Sequence, residues 1–391
     1  MISQFFKCCF SIVVFCLFFL PQTQTVLSET SEDVKEIQKA QRQQSHEIIL
    51  SALATNSYKF HILPRYKNLL ERSTALKTHM IQFCSDPSAE GLKITRERFK
   101  ETVLSFAAIE HVHFGPIVEN YRLERLLYWP DHKGRGLRAV RRLLSSKDPE
   151  ALTPEKFADK SVALQGLAAL EYVLYQNDES TAFESLFPDD DLGHYRCIYA
   201  LRITDNIQTI SQEVYTGWKD KNKLVTEFLK PGQTNEHYRK RSEVLLELYH
   251  SVVVEMKKIH DFKLKALYGL KVKRLKPKRA PFWRSGLSLK VLKSNIEAID
   301  HFVAVSGFKA LLDKSPVDLQ FHVTKMFKKV YSILGNFEKR SLTVFDVLQD
   351  DQSLSDLKKI AKTVSHLNVG FARYFAIAAN LPLGFNASDG D

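Results

Sequence analysis

Glycine and proline are scarce in this 391-residue chain, 15 and 13 in all, which leaves little material for a fold built on many tight turns. Long helices joined by short loops fit that scarcity. No period of about 20 to 50 residues stands out to suggest a solenoid. The apolar stretch Cys8–Leu20 is about 13 residues, too short for a comfortable membrane span. The zinc-peptidase helix H-E-x-x-H is absent, and 13 scattered histidines define no Ser-His-Asp arrangement. Acids are also in deficit, 45 against 56 Lys and Arg, for a formal charge of +11. That surplus favours anionic neighbours such as lipid headgroups or acidic polymers.

What is present begins with residues 1–28, which read as a secretory signal: Lys7, the apolar stretch, then Pro-Gln-Thr-Gln-Thr, with cleavage after Ser28. An uncleaved anchor is the alternative. Export disfavours nucleic acid as a partner, and with the leader removed the chain is not an integral membrane protein. Of five cysteines, Cys8, Cys9 and Cys16 leave with the leader. Cys84 and Cys197 remain as an even pair in an oxidising compartment, which predicts a disulfide; two buried free thiols are the alternative.

Apolar residues at alternating steps of three and four predict an all-α fold. A helix starts near Ser31. Another carries Tyr66, Leu69, Ser73, Leu76, Met80 and Phe83 on one face and ends near Cys84–Pro87. A third is expected over Ile94–His113, and Lys133–Arg142 reads as a basic loop and turn. A long helix from about Tyr195 to Trp218 precedes Lys230-Pro231-Gly232-Gln233, the clearest boundary between N- and C-terminal halves (29–230 and 231–391). The second half continues with a helix over Glu236–Leu270, in which Glu255 faces inward. Lys271–Arg284 then supplies seven basic residues and no acid. Helices around Leu289–Val303, Leu319–Phe337 and Leu357–Tyr374 complete the chain.

Two positions break the apolar pattern. Leu164, Leu167, Glu171 and Leu174 share one helical face, so Glu171 points inward and must be protonated, paired with Arg125 or Arg284, or bound to a cation. Gly166, lacking a Cβ, lets another backbone or a ligand approach. In the third helix Glu110 and His113 end the apolar stripe at i, i+3 spacing, which can present two ligands to a metal. Glu171, Glu110 and His113 are therefore the candidate metal ligands, and oxygen-rich ligation suits iron or another divalent or trivalent cation.

Several segments resemble the imelysin-like family of cell-envelope proteins. They are Phe114-Gly115-Pro116, Arg125, Trp129-Pro130-Asp131, Gly166 and Glu171, Arg196-Cys197, Phe282-Trp283-Arg284-Ser285-Gly286, and Leu383–Asp391. The family pattern G-x-H-x-x-E is met by Gly166 and Glu171, with Ala168 in place of the His. The resemblance runs from about residue 45 to the end. It implies two antiparallel helical bundles packed side by side, with a binding site in the groove between them. Carried over by position, that site contains Gly166, Glu171, Trp129, Asp131, Arg125, Arg284 and Ser285. It also implies a periplasmic or cell-envelope protein associated with iron uptake, with other envelope iron-uptake components or an anionic envelope surface as partners. Binding rather than catalysis is expected, with no catalytic residue assigned, because Ala168 removes the family's own His. An imelysin-type metallopeptidase and a non-enzymatic interaction protein of the envelope are the alternatives.

Overall fold

The computed structural model describes residues 31–131, 133–219, 222–269, 275–308 and 319–375. The proposed leader, residues 1–28, and the C-terminal stretch Leu383–Asp391 lie outside them. The chain divides into two compact units, Met1–His46 and Glu47–Asp391, and the site and its supporting helices lie within the second. Among the described residues every regular element is helical, so the fold is all-α. None of these helices is long and apolar enough to cross a membrane.

The first half contains α1 (Ser31–Ser57), α2 (Leu63–Ser85), α3 (Ala89–Ala107), α4 (Arg122–Leu126), α5 (Arg135–Ser146), α6 (Leu167–Tyr175) and α7 (Asp191–Gly217), besides single-turn pieces. The second contains α8 (Lys223–Leu229), α9 (Arg241–Lys258), α10 (Ser288–Ser306), α11 (Leu319–Lys339), α12 (Val344–Gln349) and α13 (Asp351–Gly370).

α2 forms where its apolar stripe predicts, burying Tyr66, Leu69, Ser73, Leu76, Met80 and Phe83. A short link at Asp86–Ser88 turns the chain back, and the Ser88 hydroxyl accepts from Gly91 N to cap α3. α7 runs antiparallel to α2. Tyr58 Oη donates to Trp218 O at 2.9 Å at one end of the pair, and the Cys84–Cys197 disulfide joins them at the other, with Cα atoms 5.6 Å apart. The two halves meet where α10 lies along α3. Ser294 Oγ donates to Leu104 O at 3.1 Å and Asn295 Nδ2 to Ala107 O at 2.8 Å.

Three sequence expectations are corrected. α3 ends at Ala107 rather than His113, and a turn follows. In that turn Ile109, Glu110 and Val112 are all buried, at 1%, 2% and 1% exposure. Residues 135–146 form a helix instead of a loop. Both Asp131 carboxylate oxygens accept from its first amides, Oδ1 from Gly136 N at 3.2 Å and Oδ2 from Leu137 N at 3.1 Å, while Val140, Leu143 and Leu144 supply the buried face. The helix expected over Glu236–Leu270 starts at Arg241, and after Lys258 it widens into a π-helical segment, Ile259–Lys265. That widening changes which side chains face the core.

The disulfide closes a loop with a sequence separation of 113. Removing it by Cys84→Ser with Cys197→Ser should cost about 2–4 kcal/mol, read from the urea midpoint. Leader-free protein, unfolded without reductant, should show no reactive thiol; two reactive thiols would refute the bridge.

Candidate functional site

The site is built on α6 and one distant turn. Leu167, Leu170, Val173 and Leu174 are fully buried, and burial all round α6 carries Glu171 inward to 3% exposure. α6 can sit so deep because Gly166, at its N-terminus, lies against the end of α4. A Cβ there would stand 2.4 Å from Leu126 O and 2.5 Å from Arg125 O. Opposite α6, the turn after Pro281 closes with Leu287 N donating to Phe282 O at 3.0 Å. Phe282 and Gly286 both have positive φ, 55° and 63°. At Gly286 a side chain would also strike Glu179, whose Oε1 lies 2.5 Å from the ideal Cβ.

This turn presents Ser285 to the buried carboxylate. Ser285 N and Oγ donate to Glu171 Oε1 at 3.0 and 2.7 Å. Burial pushes the Glu171 carboxyl up from its ordinary range, against the opposing pull of the Ser285 bonds and the charge of Arg284. Arg284 spends its Nε on Gln176 O at 2.8 Å, and its guanidinium lies over Trp283 (4.2 Å to the ring centroid) and Tyr172 (5.4 Å).

A cavity of about 610 Å³ opens beside this contact. Its wall takes Tyr128, Trp129 and Asp131 from the segment before α5, Glu171 and Tyr172 from α6, Asp261 and Phe262 from the π-helical segment, and residues 278–284 from the turn. Lys133, Lys278, Arg279 and Arg284 are its cations.

A second buried polar group lies behind Trp129. Glu110 and Glu255 face Lys258 and Lys263 there: Lys258 Nζ is 2.6 Å from Glu110 Oε1, and Lys263 Nζ is 2.8 Å from Glu110 Oε2 and 3.0 Å from Glu255 Oε1. Asn295 Nδ2 also donates to Glu110 Oε2, at 3.0 Å. Burial alone would raise the Glu110 carboxyl, but the two lysines hold it well below its ordinary range. They in turn are matched by the two carboxylates, which raise Lys258 despite its burial. Lys263 Nζ stands 6.0 Å from the centroid of Trp129, so this charge cluster backs the cavity wall.

The positions singled out by the sequence therefore divide into separate settings. Trp129, Asp131, Glu171 and Arg284 are in the cavity wall, and Ser285 stands behind it, bonded to Glu171. Gly166 and Arg125 are outside the wall. Arg125 donates to Gln165 Oε1 at 2.8 Å and to Asn206 Oδ1 at 2.6 Å rather than pairing with Glu171. Glu110 and His113 belong to the lysine cluster, where His113 Nε2 is 3.6 Å from Glu255 Oε2 and burial lowers the His113 pKa. The metal set expected from spacing, Glu171, Glu110 and His113, does not come together as an ion site among the described residues. Both Glu110 oxygens are taken by lysines, Glu171 binds Ser285, and no three His, Cys, Asp or Glu side chains among the described residues can hold an ion together. Sequence reasoning missed Lys258 and Lys263 because the helix was read in a single register through the π-helical segment.

Two outcomes follow for these buried charges. Lys263→Met leaves Glu110 and Glu255 short of a counter-charge and should cost about 3–5 kcal/mol in urea unfolding; adding Glu110→Gln should recover part of it. Glu171 has a raised folded pKa, so its contribution to stability is fully present below the unfolded value and is lost as pH rises through the folded one. Glu171→Gln keeps an oxygen for Ser285 and carries no charge. It should therefore melt at or above wild type at pH 8, with the difference shrinking or reversing by pH 4; a variant less stable at pH 8 than at pH 4, relative to wild type, refutes this.

The family model described as Peptidase_M75, imelysin, matches residues 62–366. Among solved structures, an imelysin-like protein from Psychrobacter arcticum 273-4 superposes with a TM-score of 0.66 at 16% identity, covering 86% of this chain and 97% of its own. A "putative iron-regulated protein A precursor" from Parabacteroides distasonis ATCC 8503 gives 0.69 at 15% identity, covering 84% and 95%. At these identities the two structures speak for the fold alone. No curated protein matches the chain in sequence. With a family match spanning most of its length and the same all-helical fold in these structures, the chain belongs to the imelysin family.

Proposed function

We propose that the protein is an exported component of the cell envelope that binds a ligand for iron uptake and does not cleave peptides. Residues 1–28 act as its leader, and residues 29–230 and 231–391 form its two bundles. The ligand occupies the groove between them, with Trp129, Asp131, Glu171 and Arg284 in contact and Gly166, Arg125 and Ser285 as supports. Family membership supports this reading, as does a similar fold in a protein whose name describes it as iron-regulated. Its partners are other iron-uptake components of the periplasm or the anionic envelope surface.

The cavity of about 610 Å³ carries the reading. Its size suits a small molecule, with apolar walls and a few convergent polar groups. Among its described lining residues there is no Ser, Thr, Cys or His to serve as a nucleophile or imidazole base. A zinc peptidase needs three protein ligands and an open position, a combination that no described group of residues provides.

The test uses leader-free protein purified without chelator or affinity tag. Ferrous ammonium sulfate, ferric citrate and the ferric complex of 2,3-dihydroxybenzoate are each added in thermal melts. At least one should raise the melting temperature, and Trp129→Ala should abolish that rise. No shift from any of them sinks the iron reading. Chelator-sensitive peptide cleavage lost in Glu171→Gln would instead establish the peptidase.

A further inference from the structure

We infer that the cavity binds an organic anion bearing an aromatic ring, a catecholate or aromatic carboxylate, and not a bare metal ion. The inference rests on the reading of this cavity as the binding site and names its ligand class.

Of the six carboxylate oxygens of Asp131, Glu171 and Asp261 in the wall, four are engaged by protein groups. Glu171 Oε1 accepts twice from Ser285, both Asp131 oxygens accept from the first amides of α5, and Asp261 Oδ1 is 2.7 Å from His260 Nδ1. A bare cation binding those four oxygens would have to displace their partners, and would find cations on the same wall.

The cations of the wall lack acidic partners. Lys133, Lys278 and Arg279 are exposed at the rim, and among the described residues none of the three, nor Arg284, has a carboxylate within 4.0 Å. The Arg284 guanidinium carbon stands 4.2 Å from the centroid of Trp283 and its Nε is bonded to Gln176 O, and a guanidinium keeps further N–H donors with which to meet a planar carboxylate or phenolate. Lys278 Nζ stands over Trp283 as well, 5.2 Å from the ring centroid.

The remaining wall is apolar and includes the rings of Tyr128, Trp129, Tyr172, Phe262, Phe282 and Trp283. Trp129 and Trp283 are only half-buried, so ring surface is available to a ligand as well as to the protein. A flat, negatively charged ring can stack on these side chains while its charged edge meets Arg284, Lys278 and Arg279. The volume also fits an organic molecule, since an ion needs only a shell of ligands at about 2.0–2.2 Å. The anion could arrive free or as its ferric chelate; the recognised chemistry is the same.

Isothermal calorimetry on the leader-free chain tests this, with 2,3-dihydroxybenzoate and its ferric complex as probes. Catechol, citrate and benzylamine serve as the poorly charged, non-aromatic and cationic controls. Either probe should bind at least about ten-fold tighter than all three controls, and K278E/R279E should weaken it by about ten-fold or more. Both substituted residues are exposed, so an unchanged melting curve verifies folding of the variant. Trp283→Phe should weaken binding without abolishing it. Tighter binding by the ferric complex identifies the chelate as the form recognised; equal or tighter binding by the iron-free acid identifies the free anion. Binding of neither probe, binding of any control as tight as the probes, or indifference to charge reversal overturns the inference. The iron reading survives that failure if ferric citrate or the ferrous salt still raises the melting temperature through the cavity. It falls, with this inference intact, if dihydroxybenzoate binds and no iron compound shifts the melt.

Discussion

A carboxylate enclosed in a helical core and closed off by a turn more than a hundred residues away is the constraint around which this protein is arranged. Glu171 is buried against Ser285, which supplies two hydrogen bonds to one of its oxygens. Bonds to a charged acceptor are worth about 1.5–3 kcal/mol, whereas a buried carboxylate without them is strongly disfavoured. The turn must therefore adopt the shape that aims Ser285 at α6, and the positive φ values of Phe282 and Gly286 are part of that shape. With Ser285 fixed, Trp283 and Arg284 are placed at the cavity edge. The contact thus links a stretch of the first half to one of the second and sets one wall of the space between them.

The lysine cluster supports the opposite wall by balancing charge. Two carboxylates and two ammonium groups neutralise each other out of water, with Asn295 satisfying part of the remaining hydrogen-bonding capacity. Replacing such a cluster by apolar residues is often neutral for stability, and it meets the cavity wall where Lys263 Nζ stands 6.0 Å from the centroid of Trp129. The His61, His111 and His301 rings make a separate contact near α10, where His61 Nδ1 lies 3.0 Å from His301 Nδ1 and burial lowers the pKa of His61 and His111.

Much of the fold could be read in the sequence because helix periodicity depends on local spacing. α2 and the core of α7 follow their apolar stripes closely, and Glu171 stood out as a charge on such a stripe. The arginines of residues 135–146 concealed a helix whose buried face is Val140, Leu143 and Leu144, since four charged side chains outweigh a narrow apolar strip. The residues around Glu110 differ for another reason: spacing predicts one helix face through His113, whereas the helix ends at Ala107 and the buried Ile109, Glu110 and Val112 lie in the turn after it. Lys258 and Lys263 were hidden by the π-helical widening, which shifts the register without any marker in composition. The cavity itself was only partly legible. Its residues come from four separated segments, and single-sequence periodicity carries no information about which segments meet.

The covalent link between α2 and α7 has a topological consequence. Trp129, Asp131, Glu171 and Tyr172 all fall inside the ring of chain that Cys84 and Cys197 close, whereas Lys278 to Arg284 fall outside it. A protease cutting once within that ring, for example in the exposed stretch around Asp178, would nick the backbone without releasing either piece. Only a reductant would then let the fragments part.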